Sequence, residues 1–387
     1  MLQRFYFDHN ATTPVAPEVL AAMAAALDQV YGNASSIHHF GQAARQKLET
    51  ARREVAALLG CGARELAFTS GGTESDNLAI LGAVRGAPGD RKHVVTTAIE
   101  HPAVLNTCAQ LEREGVEVTY VPVGPGAVVD PEDVRGALRP ETVLVSVMHA
   151  NNETGTVQPV AEIAAIARGY GVAMHSDGVQ AVGKIPVDVA ALGVDLYSAS
   201  AHKIYAPKGT GALYVRRGTR IEPVLYGGHH EGDRRPGTEN VPGAAAFGTA
   251  AGLAAAHLAE DGARTAALRD RLEQGILARV DHAHVNGAGS ARVPNTTNIR
   301  FDWIEGEPLV IALDLRGFAV SSGAACSSGA VEPSHVLLAI GLTPEEARGS
   351  VRFSLGRGNT AAQVDALVEA VAEAVAHLRR ISAVTPT

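Results

Sequence analysis

The chain has 387 residues, of which 46% are hydrophobic and 19% charged, and its formal net charge is −8 at pH 7. This length and composition are ordinary for a globular enzyme with a large core, which we expect to be divided between two domains. The acidic balance leaves no electrostatic footprint for nucleic acid or for an anionic membrane surface, so we expect neither as a direct partner.

Three further features bear on where the protein works. No apolar stretch looks long enough to span a bilayer, because the Ala-rich run at 244–256 is broken by glycine. The first eight residues lack the basic and then apolar layout of a signal peptide. The three cysteines, Cys61, Cys108 and Cys326, are far apart and odd in number. That spacing argues against a disulfide framework and predicts a cytoplasmic protein.

Helical and strand-like patterns alternate over the first two thirds of the chain. Helices are predicted at about 17–30, 42–59, 74–84, 102–114, 131–138 and 159–168. Strands are predicted at 66–69, 93–97, 116–121, 142–147, 172–177, 194–197 and 211–216. This rhythm predicts an α/β fold, with a mostly parallel sheet flanked by helices on both faces.

The pattern changes after about residue 255. A long helix at about 259–280 precedes strands near 296–301, 318–321 and 350–354. The C-terminal helix opens with the sequence TAAQ at 360–363, a capping-box pattern. This order predicts a smaller α+β domain at the C-terminus. We therefore predict a large domain at 15–255, and a small domain in which residues 1–14 join 256–387.

An acid and a lysine stand out because each follows a predicted strand. Asp177 ends the run at 172–177, and Lys203 closes the sequence SASAHK just after the run at 194–197. A pyridoxal phosphate enzyme requires such a pair, since the amine forms a Schiff base with the aldehyde and the carboxylate keeps the pyridinium nitrogen protonated. A lone lysine after a strand is ordinarily a solvated loop charge, so this interpretation needs other parts of a cofactor site.

The turn SGGTES at 70–75 lies between a predicted strand and a predicted helix. Backbone N–H groups there can approach an anion, the helix N-terminus favours negative charge, and Thr73 adds a hydroxyl donor. A plain turn with Thr73 or Ser75 as the N-cap explains the same residues. The turn lacks the lysine of a Walker A loop and the third glycine of a dinucleotide fingerprint. A monophosphate such as that of pyridoxal phosphate fits it better.

Other polar side chains follow the remaining strands. His101 can stack on a planar ring and relay protons, or it can simply cap the helix that begins at Pro102. Asn152 and Gln180 can reach a ring oxygen, and Asn152 can also reach a substrate carboxylate, although an asparagine-rich turn is the plain alternative. Arg352 is flanked by apolar residues on its strand, where it can clamp a carboxylate or form a structural ion pair.

Cys326 lies in a stretch of small residues, SSGAACSSGA at 321–330. Ser, Gly and Ala bury little area and lose much entropy on ordering, so this thiol is expected to be exposed and mobile. Such a thiol is suited to nucleophilic attack. Cys61 and Cys108 follow or lie on predicted helices and are expected to be structural.

Taken together, these segments resemble the cysteine desulfurases of the NifS/IscS type, which are pyridoxal phosphate enzymes of fold type I in the class V aminotransferase group. The similarity extends from FDHNATTP at 7–14 to RFSLGR at 352–357. Its most specific segments are TSGGTESDN at 69–77, NNETG at 151–155, HKIYAPKG at 202–209 and SSGAAC at 321–326. One small departure is Ala201, where family members usually have glycine.

The resemblance implies a role for each matching position. Lys203 is expected to be the Schiff-base lysine and to move the Cα proton, Asp177 to pair with the pyridinium, and His101 to stack on the ring. Cys326 is expected to accept the sulfur. The expected phosphate ligands are Gly72, Thr73, Ser200, His202 and, from the second subunit of a homodimer, Thr238. The expected ligands of the ring oxygen are Asn152 and Gln180, and those of the substrate carboxylate are Asn152 and Arg352.

The implied reaction converts L-cysteine to L-alanine and leaves the sulfur on Cys326 as a persulfide. An iron–sulfur scaffold, or an acceptor in tRNA or thio-cofactor synthesis, would then take that sulfur. No metal site is predicted beyond a transient iron–sulfur contact at Cys326. Two alternatives stay open: an aminotransferase or selenocysteine lyase on the same fold, and a non-catalytic scaffold that binds iron–sulfur assembly partners.

Overall fold

The computed structural model describes residues 3–90, 92–322 and 332–381. Its helices are α1 Pro17–Gln29, α2 His39–Leu59, α3 Gly72–Gly86, α4 Pro102–Arg113, α5 Pro131–Ala137, α6 Val160–Gly169, α7 Val189–Leu192, α8 Val241–Leu277, α9 Gly306–Asp314, α10 His335–Ala339, α11 Pro344–Arg348 and α12 Ala361–Ile381. Its strands are β1 Phe5–Tyr6, β2 Leu66–Thr69, β3 His93–Thr97, β4 Glu117–Val121, β5 Thr142–Ser146, β6 Ala173–Asp177, β7 Leu196–Ser200, β8 Gly211–Val215, β9 Ala283–Val285, β10 Thr296–Phe301, β11 Phe318–Ala319 and β12 Ser350–Ser354.

Seven strands of the described chain form the central sheet, in the order β2-β8-β7-β6-β5-β3-β4. The five neighbouring strands β7, β6, β5, β3 and β4 pair in parallel, whereas β8 runs antiparallel to both β7 and β2. The prediction of a mostly parallel sheet is therefore confirmed. Because β2 points the same way as β7, the carboxyl ends of β2, β3, β5, β6 and β7 all meet at one edge of the sheet, where ligands bind in α/β folds.

Helices cover both faces of this sheet. Consecutive residues of one strand enter different apolar clusters: Val94 and Leu144 pack with α3 and α4, while Val95 and Val145 pack with α2, α6 and α8. A strand that is buried on both faces reads as a continuous apolar run, which is why β3 and β5 were recognisable from the sequence.

A second apolar core lies toward the C-terminus. It is built on the antiparallel strands β12-β10-β9 and on the small parallel pair β1-β11, with α9 and α12 packed against them. Phe7 is fully buried in this core, so the N-terminal segment packs with the C-terminal elements. The α+β character of this part agrees with its sequence pattern. The limits of the two domains remain a prediction.

Helix α8 is longer than the sequence pattern suggested, because it continues without a break through residue 255. Its first half packs in the large core and its second half, through Leu268, Leu272 and Ile276, in the small one. Gly248 allows close contact with α2, since a Cβ there would lie 2.7 Å from the Cα of Ala51.

The length and composition of α8 also bear on the membrane question. This one helix of the described residues is long and apolar enough to cross a bilayer, so the expectation that no stretch reaches that length is wrong. Its most apolar window has a mean hydropathy of 1.2, and 56% of that window is buried inside the protein. Burial against α1 and α2 is a sufficient reason for the alanine-rich composition.

Candidate functional site

The predicted site residues gather where the strands of the central sheet end. The SGGTES turn follows β2, His101 follows β3, Asp177 ends β6 and Ser200 ends β7. Lys203 lies one short 3-10 turn beyond β7. Because these strands end at a common edge, their carboxyl-terminal residues share one cleft although they are far apart in the sequence.

The Lys203 amine is held by the N-terminal segment of the chain. Its Nζ donates hydrogen bonds to the backbone oxygens of Asn10, at 2.5 Å, and of Ala11, at 2.8 Å. Burial, together with the charge of Arg352, lowers the pKa of Lys203 to about 8, and the charges of Asp177 and Asp8 limit that shift. About a tenth of the amine is thus neutral at pH 7, and a neutral amine is a nucleophile.

The Asp177 carboxyl is buried at the end of β6, with only 6% of the residue exposed. Its Oδ1 accepts a hydrogen bond from the backbone N–H of Val179 at 2.9 Å. Burial raises the pKa of Asp177, and the charges of His101 and Lys203 and the Val179 N–H oppose the rise. A cationic ring nitrogen placed against this carboxylate would relieve the remaining desolvation penalty.

His101 is the N-cap residue of α4, where its Nδ1 accepts the backbone N–H of Ala103 at 3.1 Å. The neutral ring therefore carries its proton on Nε2. Burial lowers the pKa of His101, with Asp177 opposing the shift and Lys203 adding to it. The two uses weighed from the sequence, capping a helix and facing a ligand, are compatible because they involve different ring atoms.

An anion cradle lies between β7 and the start of α3. No side chain caps the N-terminus of α3, whose N-cap is Gly71. The Ser200 hydroxyl is buried and has no hydrogen-bond partner among the described residues. A Cβ on Gly72 would lie 2.8 Å from the Cγ2 of Val179, so this approach is reserved for glycine. Uncapped N–H groups beside a buried hydroxyl that lacks a partner fit a phosphate group.

The other expected phosphate ligands differ in their surroundings. His202 is half-buried, with its Nδ1 3.1 Å from the Thr12 hydroxyl, and burial together with Lys203 and Lys208 lowers its pKa to about 4. Thr73 and Thr238 are exposed in the single chain. No hydrogen bond joins Thr238 to the rest of the site within the described chain, so its expected role stays a prediction.

Asn10, which the sequence reasoning did not single out, is the most connected residue at the cleft. Its side chain donates to the backbone oxygen of Asn152 at 3.1 Å and to the Thr296 hydroxyl at 2.9 Å. Its side-chain oxygen accepts from Lys184 at 2.9 Å and from Asn295 at 3.1 Å. Asn10 thus ties the large core, the small core and the Schiff-base lysine candidate together.

Gln180 is hydrogen-bonded to Asn10 and to Lys184. Its amide nitrogen donates to the Asn10 backbone oxygen at 3.0 Å, and its amide oxygen accepts from Lys184 at 2.5 Å. The Asn152 side chain makes no hydrogen bond within the residues described here, and only its backbone oxygen is engaged. Asn152 is therefore free to meet a ligand, whereas Gln180 would have to exchange a partner.

Arg352 forms an ion pair, one of the two uses weighed from the sequence. Its Nη2 donates to Asp8 Oδ1 at 2.7 Å and its Nη1 to the backbone oxygen of Asn152 at 2.9 Å. Its Nε is buried and has no partner in the part of the chain described. The guanidinium faces the cleft beside Asn152, and part of its donor capacity is unused.

Cys326, the predicted nucleophile, lies outside the described residues. The chain on either side of it is anchored at the cleft: Ser321 exchanges two backbone hydrogen bonds with Arg352, at 2.7 and 3.2 Å. Downstream, the Ser334 hydroxyl donates to the buried carboxylate of Glu153 at 2.6 Å, and His335 Nε2 lies 2.9 Å from the Glu100 backbone oxygen.

The other two thiols have inert surroundings. Cys108 is fully buried and Cys61 half-buried. Burial raises the pKa of each to about 12, so neither forms an appreciable thiolate at neutral pH. The expectation that they are structural agrees with this environment.

Buried titratable groups beneath the cleft were not anticipated from the sequence. Burial raises the pKa of Glu100 to about 8 and that of Asp76 well above its ordinary value. His175 Nε2 lies 3.6 Å from the Asp76 carboxylate and 3.0 Å from the Ser198 hydroxyl, and burial lowers its pKa to about 3. The His175 imidazole is therefore neutral near pH 7, and burial disfavours the charged form of the Asp76 carboxyl beside it.

Comparison with known proteins agrees with this geometry. The class-V aminotransferase family model matches residues 5–367. A cysteine desulfurase of Trichormus azollae is 49% identical over 377 residues, covering 97% of this chain and 94% of the relative.

Two solved structures are also close. A NifS-like protein superposes with a TM-score of 0.91 at 37% identity, covering 97% of this chain and 100% of the other. A structure described as SspA in complex with cysteine has a TM-score of 0.82 at 34% identity, covering 92% and 99%. By its sequence, its fold and the layout of its cleft, the chain belongs to the class-V aminotransferase family, among the cysteine desulfurases of the NifS/IscS type.

Proposed function

We propose that this protein is a pyridoxal phosphate-dependent cysteine desulfurase, which converts L-cysteine to L-alanine and moves the sulfur to Cys326 as a persulfide. The observation that carries the proposal is the pairing of a partly neutral buried amine, on Lys203, with a buried carboxylate, on Asp177, beside an anion cradle with an unpaired hydroxyl at Ser200. When bound, the cofactor supplies an electron sink for deprotonation at the substrate Cα.

The residues of the cleft divide the work of holding that cofactor. Gly72 and Ser200 offer donors to its phosphate, and Asp177 offers an anion to its ring nitrogen. His101, which carries its ring proton on Nε2, stands beside Asp177 and Lys203 as a stacking and proton-relaying group. Lys203 is the covalent anchor and the base that moves the Cα proton, because its pKa of about 8 keeps both protonation states accessible near neutral pH.

The sulfur step belongs to Cys326. Its thiolate forms a sulfur–sulfur bond to the substrate while the substrate carbon–sulfur bond breaks, and the three-carbon product takes up protons and leaves as L-alanine. The substrate carboxylate is held by Arg352 and by the free side chain of Asn152. Ser321, five residues before Cys326 in the chain, is hydrogen-bonded through its backbone to Arg352 itself, which supports this assignment.

Replacing Cys326 by Ala tests the reaction. We expect alanine and sulfide formation from L-cysteine to fall by about a hundredfold or more, because the other two thiols, Cys61 and Cys108, have raised pKa values and form little thiolate at neutral pH. The absorbance of the bound cofactor should be unchanged, since Cys326 is not expected to hold it. Cys61→Ala is the matched control and should retain its turnover. Undiminished alanine formation in Cys326→Ala would contradict the nucleophile assignment and favour a lyase or transaminase reaction on the same fold.

The persulfide must pass to an acceptor, and we propose an iron–sulfur scaffold or another sulfur-carrying protein in the cytoplasm. Within residues 3–90, 92–322 and 332–381 no group of three or more His, Cys, Asp or Glu is arranged to hold a metal ion. An iron–sulfur contact at Cys326 would therefore take its remaining ligands from the acceptor.

We also propose that the chain is a homodimer. The segment between α1 and α2, together with the first turn of α2, exposes a cluster of apolar side chains: Tyr31 is 71% exposed, Ile37 91% and Phe40 50%, with the Tyr31 and Phe40 rings stacked at 5.3 Å. A second copy would cover this cluster and could bring its own Thr238 to the cradle.

A charge in this cluster tests the dimer. Ile37→Asp is expected to raise the dimer dissociation constant by about tenfold or more, because it buries an unpaired charge. Sedimentation measures the change, and Ile311→Asp, on an exposed isoleucine of α9 outside this cluster, is the control. A wild-type chain that sediments as a monomer would rule the dimer out.

A further inference from the structure

The guanidinium of Arg352 is nearly enclosed by the protein, with 6% of its side chain exposed. The Asp8 carboxylate and the Asn152 backbone oxygen take one hydrogen bond each from its two terminal nitrogens. Removing either partner of such a pair would be costly, because it would leave the buried guanidinium or the carboxylate without compensation. The guanidinium that faces the cleft is therefore already bound to a carboxylate.

The Asp8 backbone is fixed, and its side chain is not. The residues on either side of it, Phe7 and His9, both form backbone hydrogen bonds with Ser354 of β12, at 2.8 and 3.1 Å. The Asp8 side chain is 19% exposed, three times the fraction of its partner. It makes no other hydrogen bond within the described residues. A change of side-chain rotamer would therefore release the carboxylate without moving the strand.

Asp8 also lies within electrostatic reach of the amine. Its charge opposes the lowering of the Lys203 pKa and adds to the raised pKa of Tyr6. The Asp8 carboxylate is thus close both to the Arg352 guanidinium and to the Lys203 amine. These are the two groups between which an α-amino acid substrate would bind.

We propose that Asp8 occupies the carboxylate position of the Arg352 clamp when no substrate is present, and that an α-amino acid must displace it to bind. This inference rests on the proposed function, since it takes Arg352 as the substrate clamp. The exchange replaces one carboxylate by another, so the buried guanidinium is never left without an anion. Asp8 then acts as a specificity-determining residue: an amine that lacks a carboxylate cannot displace it and gains nothing from Arg352.

The test compares two ligands on the holoenzyme. L-Alanine and ethylamine differ only by the carboxylate, and the binding of each is followed by the change in cofactor absorbance. In Asp8→Asn we expect the Kd of L-alanine to fall by about tenfold, because a neutral amide competes for Arg352 less well than a carboxylate does. The Kd of ethylamine should change by less than about twofold, and any effect of Asp8 on Lys203 is shared by both ligands.

Controls separate this inference from the proposed function. Asp365→Asn removes the same charge from an exposed ion pair with Arg271 and should change neither Kd. Arg352→Lys should raise the Kd of L-alanine and leave the Kd of ethylamine unchanged. An unchanged L-alanine Kd in that variant would refute the role of Arg352 as the clamp. Given an intact clamp, an L-alanine Kd that stays the same or rises in Asp8→Asn would overturn the displacement. If that variant does not fold, Asp8→Ser is measured by the same criteria.

Discussion

Lys203→Ala is expected to end the covalent capture of pyridoxal phosphate and to lower alanine formation by about a thousandfold or more. Among the described residues, Lys203 is the amine that lies beside Asp177 at the carboxyl edge of the sheet. Lys184, the other lysine nearby, is committed to the side-chain oxygens of Asn10 and Gln180. The loss is measured as the absence of the absorbance change that accompanies capture, together with the assay for alanine.

The pH dependence of capture follows from the same amine. Below its pKa of about 8 the amine is protonated and cannot attack, so the capture rate of the wild-type apoprotein should rise about tenfold for each pH unit. Above pH 8 the rate should level off, whereas an ordinary lysine would show a rise to beyond pH 10. Rapid mixing of apoprotein with pyridoxal phosphate between pH 6 and 9.5 gives this profile.

Lys208→Ala is the matched control for both measurements, because Lys208 is an exposed lysine only five residues further along the same loop. It should capture the cofactor at the wild-type rate. A rate that is still rising about tenfold per pH unit at pH 9.5 would mean that burial does not depress the Lys203 pKa. Capture that survives in Lys203→Ala and disappears only when Lys184 is also replaced would assign the anchor to Lys184.

The parts of the site that follow strands could be predicted because the sheet is parallel. Each buried strand leaves a continuous apolar run in the sequence, and polar residues just beyond such runs must meet at one edge. Asp177, His101 and the turn before α3 were predicted in this way, whereas Ser200 was expected only from the family resemblance. The strand pattern was sufficient to place these residues at one edge, because the direction of the chain already identifies the carboxyl end of each strand.

Contacts between distant segments left no such signal. Asp8 and Arg352 are separated by 344 positions, and neither residue's neighbours indicate the other. The two uses considered for Arg352 differ only in which anion it meets, which a local pattern cannot decide. Asn10 is one polar residue in a short N-terminal segment, and its many contacts exist only because the two cores close around it.

The long helix α8 shows a different limit. Its composition changes near residue 255, from alanine-rich to charged, and this change reads as a boundary between elements. The helix instead continues because helical hydrogen bonds depend on the backbone, while the side chains change with the core that each half faces. The change in composition therefore indicated correctly that the two halves of α8 have different surroundings, but it wrongly indicated that a helix ends there.

Asp177→Asn is expected to lower kcat for alanine formation by about a thousandfold, the scale of removing a charged group that acts on the reacting centre. The side-chain oxygen of Asn can still accept the Val179 N–H, so the fold of the β6 terminus should be kept. The amide cannot hold a proton on the ring nitrogen, and a neutral ring is a poorer electron sink. Asp188→Asn is the control, since Asn also serves as the N-cap of α7. Turnover and cofactor absorbance are measured together: a variant that binds the cofactor and keeps kcat within fivefold of the wild type would show that this carboxylate does not set the charge of the ring.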